Sequence, residues 1–313
     1  MDVLSDILQS IHLGGGVYFR CEFSAPWGMD IKRTALPEFH VIVRGACWLR
    51  MKGLRNPLAL HGGDAVAFPH CDAHAILDSP DGKPVPAEKI IEGQSLENYG
   101  PVRYGGGGLP VTMLCGYFRF DHDRRHPFVA ALPPLIHIRA IDSHDFAWLH
   151  TTLNFMIQET QAARSGNEAV VNRLAEVLFI QMVRAHVHQS GTPTGLLAAL
   201  ADRQISAALG RIHQAPAQPW TLAKLAECAG MSRSAFAARF NELVEQTPMQ
   251  YLMFWRMQKA KELLHDQGLS TAAIAERVGY QSEAAFSRVF KKAVGIGPGA
   301  YRRGMSAASA RPS

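Results

Sequence analysis

The spacing of polar and apolar positions along this 313-residue chain changes near residue 140. Before that point apolar residues alternate with polar ones in short runs. After it they recur at helical spacing. The clearest helical stretch, from Trp220 to Tyr301, holds one pattern twice. The first copy reads Leu225-Ala226-Glu227-Cys228-Ala229-Gly230-Met231-Ser232, then a run with Phe236 and Phe240. The second reads Ile274-Ala275-Glu276-Arg277-Val278-Gly279-Tyr280-Gln281-Ser282, then a run with Phe286 and Phe290. Ala226 and Ala275 stand 49 positions apart, and so do Gly230 and Gly279. The phenylalanine pairs stand 50 apart, so the second turn carries one extra residue.

Each copy predicts a helix-turn-helix. The first helix presents Leu222, Leu225, Ala226 and Ala229 on one face. A glycine then supplies a tight or left-handed turn. Ser232 or Ser282 caps the second helix. Phenylalanines four apart share a face and anchor that helix to the first. The opposite face is left for a DNA major groove. Charge agrees: residues 196–313 carry 15 basic and 8 acidic residues, net +7, and the residues before them 17 and 19, net −2. A basic C-terminal third suits double-stranded DNA as partner.

Residues 1–12 read as a short amphipathic helix, with Val3, Leu4, Ile7, Leu8 and Ile11 on one side. From Gly14 to about Ile138, runs such as VYFRCEF, FHVIVRG, CWLRM, DAVAFP, AHAILD and VTMLCGYFRF read as strands of a sandwich or barrel. The Pro- and Gly-rich segment Pro80 to Pro110 reads as a long flexible surface loop. Residues 142–164 and 167–189 form two helical patterns joined at Ser165-Gly166-Asn167. The second is apolar around more of its circumference than one buried face needs. It either covers the barrel or forms a homodimer interface.

The expected domains are a sensor barrel at 1–140, a hairpin at 141–190, a linker at 191–195, a DNA-binding domain at 196–304 and a disordered tail at 305–313. The last domain opens with a helix from Leu196 to His213. A long helix started by Thr247-Pro248 holds the two helix-turn-helix units roughly 34 Å apart, one DNA turn.

Composition bounds the class. Apolar residues are 47% and charged ones 19%, as in soluble globular proteins. No run of about 18 apolar residues marks a membrane span. The N-terminus starts acidic and does not read as a secretory signal, so a cytoplasmic location is expected. Cysteines 21, 47, 71, 115 and 228 are scattered, with no CxxC pair.

Two resemblances sharpen this. Gly63-Asp64, Pro69 and His74 are similar to the second cupin signature, with Cys71 where that signature has a glycine. Glu38, six residues before Gly45, is similar to the end of the first signature. The two histidines that should precede the glutamate are absent: Met29-Asp30-Ile31-Lys32-Arg33-Thr34 stands there. The ligand set of the metal-dependent cupin oxygenases is therefore incomplete, which argues against an enzyme. A cupin enzyme with an accessory helical domain is the rival class.

The C-terminal hundred residues resemble the AraC/XylS-type transcription regulators, through Ile274-Ala275, Val278-Gly279-Tyr280, Ser282, Phe286, Arg288, Phe290-Lys291-Lys292, Gly295, Pro298 and Tyr301-Arg302. The N-terminal part is similar to the cupin-type sensor domain of one subgroup, through Phe39-His40, Gly45, Gly63-Asp64, Pro69, His74, Cys115-Gly116-Tyr117 and Leu132-Pro133. That subgroup contains the reactive-chlorine-sensing activator, whose two barrel cysteines sit where Cys21 and Cys115 sit here. The resemblance implies an α+β protein: a cupin-like β-barrel with a helical hairpin, then an all-α domain with two helix-turn-helix units. It implies a sequence-specific transcription activator working as a dimer with RNA polymerase.

With Phe236 and Phe240 inward, Arg233, Ser234, Ala237, Ala238 and Asn241 face the DNA. In the second unit Glu283, Ala284, Ser287 and Arg288 do so, with Lys291 and Lys292 one turn on. Arg288 can read guanine and Glu283 cytosine, while the lysines meet phosphate. The first unit has Ala238 where relatives often carry a basic residue, and Arg239 follows it. In the barrel, alternation turns Cys21, Glu38, His40 and Cys115 inward, with Tyr117 beside Cys115, and the signature adds His74. Three readings compete. Cys21, His40, His74 and Cys115 can sense an oxidant or electrophile. They can bind zinc or copper, with His40, Cys71 and His74 as candidate ligands. An organic molecule can fill a barrel lined by Trp27, Phe39 and Trp48. The plain alternative is buried cysteines packing as small hydrophobes.

Overall fold

The computed structural model describes residues 3–11, 13–120, 126–140, 147–162, 164–189, 195–266 and 268–309. Residues 191–194 of the expected linker, Phe146 and the last four residues lie outside them. The described residues fall into two compact units. One holds those between 13 and 189, the other those of 3–11 together with 195–309.

The first unit is built on eleven strands. They are β1 (Gly14–Ser24), β2 (Gly28–Ile31), β3 (Glu38–Arg44), β4 (Ala46–Met51), β5 (Leu58–His61), β6 (Ala65–Phe68), β7 (His74–Leu77), β8 (Val85–Pro86), β9 (Val102–Gly105), β10 (Pro110–Arg119) and β11 (Ile136–Ile138). A six-stranded sheet runs β11-β6-β3-β10-β1-β9 and a five-stranded one β5-β4-β7-β2-β8. One apolar core draws on both sheets, including Phe23, Met113 and Val66 from the first and Met29, Leu49 and Ile76 from the second. Among the described residues no ladder joins the sheets, so the predicted barrel is instead two open sheets with a shared core. Alternation along β1 is as read: Val17, Phe19, Cys21 and Phe23 are buried. The register of β1 against β10 shifts between Val17 and Phe19, which leaves Tyr18 as the extra residue on β1. Tyr117 follows Cys115 by two residues on β10, opposite Glu38, and lies against Tyr18, ring centroids 4.8 Å apart.

The segment expected to be a flexible loop is ordered structure. Val85–Pro86 is a strand, Ala87–Ile91 the helix α2, and Val102–Gly105 pairs with β1. Ile90 and Val102 are buried. Prolines and glycines hid an element too short for a period to show.

The helical hairpin is α4 (Ala147–Ala162) and α5 (Asn167–Gln189); α3 (Pro127–Ala130) precedes it. α5 lies on the outer face of the larger sheet, where Phe118 and Phe120 of the sheet's side meet Phe179. Gly15 permits this approach, because a Cβ there would stand 3.1 Å from that of Ala175.

The second unit begins with α1 (Val3–Ser10), which packs on helices from the far end of the chain. Next come α6 (Gly195–Ala201) and α7 (Arg203–Gln214). One helix was expected here. Asp202 breaks it by accepting hydrogen bonds from the backbone N–H groups of Gln204 and Ile205. The two helix-turn-helix units are α8 (Leu222–Cys228) with α9 (Arg233–Val244), and α11 (Thr271–Arg277) with α12 (Glu283–Val294). Between them α10 (Pro248–Leu264) has 17 residues, about 25 Å at 1.5 Å per residue. Gly230 and Gly279 take positive φ, and Ser232 and Ser282 cap as expected. At Gly279 the fit is close, since a Cβ would meet the Ala217 carbonyl oxygen at 2.6 Å. α13 (Pro298–Ser309) extends past Met305, where a disordered tail was expected. Its Ala-rich end continues a helix that Pro298 starts.

Candidate functional site: a buried thiol–imidazole chain and two exposed recognition helices

Strand register assembles the first site. β10 runs between β1 and β3, and Cys115 pairs directly with His40. Cys21 lies one diagonal away, because β1 pairs Phe19 with Cys115 and Cys21 with Met113. His74 reaches across from the opposite sheet, its ring stacked on Phe68 at 3.7 Å. The result is a continuous chain. Cys21 Sγ lies 3.6 Å from Cys115 Sγ, and Cys115 Sγ 3.1 Å from His40 Nδ1. His40 Nε2 lies 2.9 Å from His74 Nε2, and His74 Nδ1 2.8 Å from the Asp72 carbonyl oxygen.

The last bond sets the polarity of the chain. A carbonyl oxygen only accepts, so His74 Nδ1 donates and His74 Nε2 accepts in a neutral ring. His40 Nε2 then donates, His40 Nδ1 accepts, and the Cys115 thiol is the donor to it. Cys21 donates in turn to the Cys115 sulfur. Electrostatics agree. Burial, together with the neighbouring His74, holds His40 well below the usual imidazole value. Burial holds His74 down to about 4. The hydrogen bond with Cys21, then burial, pushes the Cys115 thiol well up. At rest the chain is neutral.

All four residues read from sequence as sensor candidates therefore come together. A cavity of about 380 Å³ reaches the chain and is lined by Glu38, His40 and Cys115. Helix α2, hidden from sequence, supplies Ala87 and Ile91 to its wall. Burial pushes the Glu38 carboxyl up to about 7. Glu38, His40 and His74 offer donor atoms within 4.8 Å of one another, a group that includes Glu38 and not Cys71. The fit to a resident metal is poor as the side chains stand. The His40–His74 separation of 2.9 Å is a hydrogen bond; two nitrogens on one tetrahedral zinc stand about 3.3 Å apart. Cys71 is buried with φ +61°, the left-handed turn for which the cupin signature uses glycine.

The second site is a pair of surfaces. On α9, Arg233, Ser234, Ala238 and Asn241 are exposed, Ala237 is half-buried, and Phe236 and Phe240 are buried. On α12, Glu283, Ala284, Arg288, Lys291 and Lys292 are exposed, Ser287 is half-buried, and Phe286 and Phe290 are buried. The units differ in their arginines. Arg239 Nη2 lies 3.2 Å from Asp202 and Arg239 Nη1 3.0 Å from Glu242. Among the described residues no ion pair holds Arg233 or Arg288. Arg256 and Arg302 instead tie the domain together, donating to the carbonyls of Pro216 and Gln218 and of Leu269.

Two sheets with a buried polar chain, joined in one chain to a doubled helix-turn-helix, define a regulator with separate signal-receiving and DNA-binding parts. The cupin family model matches residues 2–188, and the helix-turn-helix domain model matches residues 225–304. The chain belongs to the AraC-like helix-turn-helix transcription regulators that carry a cupin domain. It is 32% identical to the HTH-type transcriptional regulator AlkR of Acinetobacter baylyi, across 97% of this chain and 99% of that protein. It is 26% identical to the RCS-specific HTH-type transcriptional activator RclR of Escherichia coli, across 96% of this chain and 97% of that one. Among solved structures, the DNA-binding domain of AdpA in complex with a target DNA is 29% identical, covering 36% of this chain and 99% of that one at a TM-score of 0.33. No helix among the described residues is long and apolar enough to cross a membrane.

Glu38 and the two histidines pull stability in opposite directions with pH. The folded state keeps Glu38 protonated up to about 7 against a usual 4.5, so its contribution is present below 4.5 and fades as pH rises through 7. His74 is neutral in the fold, so stability is lost as pH falls from 6.5 toward 4. Glu38→Gln removes only the alkaline-side loss. Chemical denaturation at pH 8 is expected to show a gain on the order of 2 kcal/mol over wild type, shrinking to nothing by about pH 4.5. An equal gain at both pH values overturns this account of Glu38.

Proposed function

We propose that this transcription regulator responds to an oxidant through Cys21 and Cys115, acts as a dimeric activator, and reads its operator mainly with α12. The 3.6 Å approach of the two thiols carries the first part. A disulfide needs the sulfurs at about 2.05 Å, a closure that side-chain rotation and small strand shifts supply. A relative that matches along nearly its whole length is named an RCS-specific activator. A route for the signal exists within the sensor unit. The strand that carries Cys115 continues to Phe118, which stacks on Phe39 at 4.8 Å and meets Phe179 of α5 at 4.9 Å. The hairpin that receives this contact shows Phe155, Val170 and Val177 to solvent, a surface suited to a second copy of the chain. On the DNA side, Arg288 is exposed and makes no ion pair among the described residues, while Arg239 is held by two carboxylates.

Arg288→Ala is expected to weaken specific operator binding by about 1–3 kcal/mol, roughly 5- to 150-fold, with unchanged thermal unfolding. Arg239→Ala is expected to change it by a few-fold at most. A gel shift that ranks the two variants the other way refutes this division of labour. Cys21→Ser and Cys115→Ser are each expected to lose the oxidant response in an operator-reporter assay while binding DNA unchanged. Equal responses in wild type and both variants remove the thiol reading. Loss of the wild-type response with chelator, and not with either serine, moves the assignment to the Glu38–His40–His74 donors. Val170→Glu with Val177→Glu is expected to shift the protein from dimer to monomer in sedimentation. An unchanged sedimentation coefficient rules out this face.

A further inference from the structure

The cavity that meets Cys115 is larger and more apolar than an inorganic oxidant needs. Its volume is about 380 Å³, where a molecule the size of water takes about 30 Å³. Phe19, Met29, Ile31, Ala87, Ile91 and Leu96 form its apolar wall. Burial orders it from mouth to floor. Lys32, Arg33 and Leu96 are exposed, while Glu38, His40 and Cys115 are buried. Cys21 is absent from the lining, so a molecule entering meets Cys115 first. Cys115 is also the thiol whose proton already points at a base, His40 Nδ1 at 3.1 Å.

We infer that the cavity takes an organic hydroperoxide, ROOH, with its apolar group against this wall and its peroxide oxygens at Cys115, and that Cys21 is the resolving thiol. This rests on the thiol-pair reading above and adds the chemical class of the oxidant and the order of events. The Cys115 sulfur attacks the terminal peroxide oxygen, and the O–O bond breaks. The thiol proton passes to His40 Nδ1 and from there to the departing alkoxide, which leaves as the alcohol ROH. Cys115 is then a sulfenic acid. The Cys21 sulfur attacks it, the S–O bond breaks, and the hydroxyl leaves as water with the Cys21 proton. Two thiols are oxidised to one disulfide, and ROOH is reduced to ROH and water. His40 acts at the reacting sulfur. His74 is a positioning residue that keeps the accepting nitrogen of His40 turned to Cys115.

The test uses the full-length reduced protein with cumene hydroperoxide and hydrogen peroxide, following disulfide formation by mass spectrometry. In wild type, cumene hydroperoxide is expected to react at least about tenfold faster, the scale on which an apolar pocket discriminates. Ile91→Trp, which fills the cavity, and Leu96→Trp, which blocks its exposed mouth without touching the core, are each expected to slow cumene hydroperoxide about tenfold and leave hydrogen peroxide nearly unchanged. In Cys21→Ser, dimedone is expected to trap a sulfenic acid on Cys115. In Cys115→Ser, Cys21 is expected to stay unmodified. Equal rates for the two peroxides in wild type and both tryptophan variants overturn the inference while leaving the thiol pair in place. Sulfenic acid on Cys21 of Cys115→Ser at the wild-type rate reverses the proposed order. No disulfide with either peroxide overturns the thiol-pair reading itself.

Discussion

His40 makes a hydrogen bond from each ring nitrogen, and both bonds are buried. A neutral imidazole has one donor and one acceptor, so each partner constrains the other. The Asp72 carbonyl decides which nitrogen of His74 carries a proton, and that choice propagates to the Cys115 thiol through two rings. An unpaired polar group in this core would cost on the order of 1–3 kcal/mol, so the chain is stable only when complete. The surrounding structure serves that completeness. Phe68 flattens His74 in place, the β3–β10 register sets Cys115 opposite His40, and Gly116 leaves room for the Phe39 ring, which a Cβ would contact at 2.3 Å. Any change in proton or bond order at Cys115 therefore has a mechanical address.

The DNA-binding unit rests on a different constraint, the depth at which each second helix seats on its first. Phe236 and Phe240 in one unit, and Phe286 and Phe290 in the other, are fully buried with ring centroids 5.6 Å apart in both pairs. That common spacing makes the two units equivalent in packing. Their surfaces are not equivalent. Asp202, which caps α7, also holds Arg239. One carboxylate thereby joins the cap to the recognition helix and occupies a cation that the helix would otherwise offer outward.

Much of this was legible in the chain. In each copy of the doubled pattern the glycine at positive φ and the serine cap lie within a few residues of each other, where propensity and local sterics decide the outcome. Inward alternation also placed Cys21, His40 and Cys115 on the core face, because a strand's period is local. What joins residues far apart was not legible. The distance between Cys21 and Cys115 depends on strand register 94 positions apart, and the Arg239–Asp202 pair spans 37. Helix α2 and β9 were missed because five- and four-residue elements are too short for a period to rise above their prolines and glycines. The register shift that leaves Tyr18 unpaired on β1 is a property of the β1–β10 ladder, not of β1 alone.

The partial cupin signature is explained by what replaced it. Glu38 and His74 still bring donor atoms close together, yet the third donor beside them is His40, two residues on from Glu38 along the same strand. His40 comes with a thiol on its other nitrogen. A ligand histidine in an oxygenase spends its second nitrogen on an inert acceptor that fixes the ring. Here the second nitrogen faces a group that can be oxidised. On the proposed oxidant reading, the same inward geometry serves to hand a proton between sulfur and imidazole. On that reading a change at Cys115 would reach α5 through Phe118, whose ring meets Phe179 at 4.9 Å.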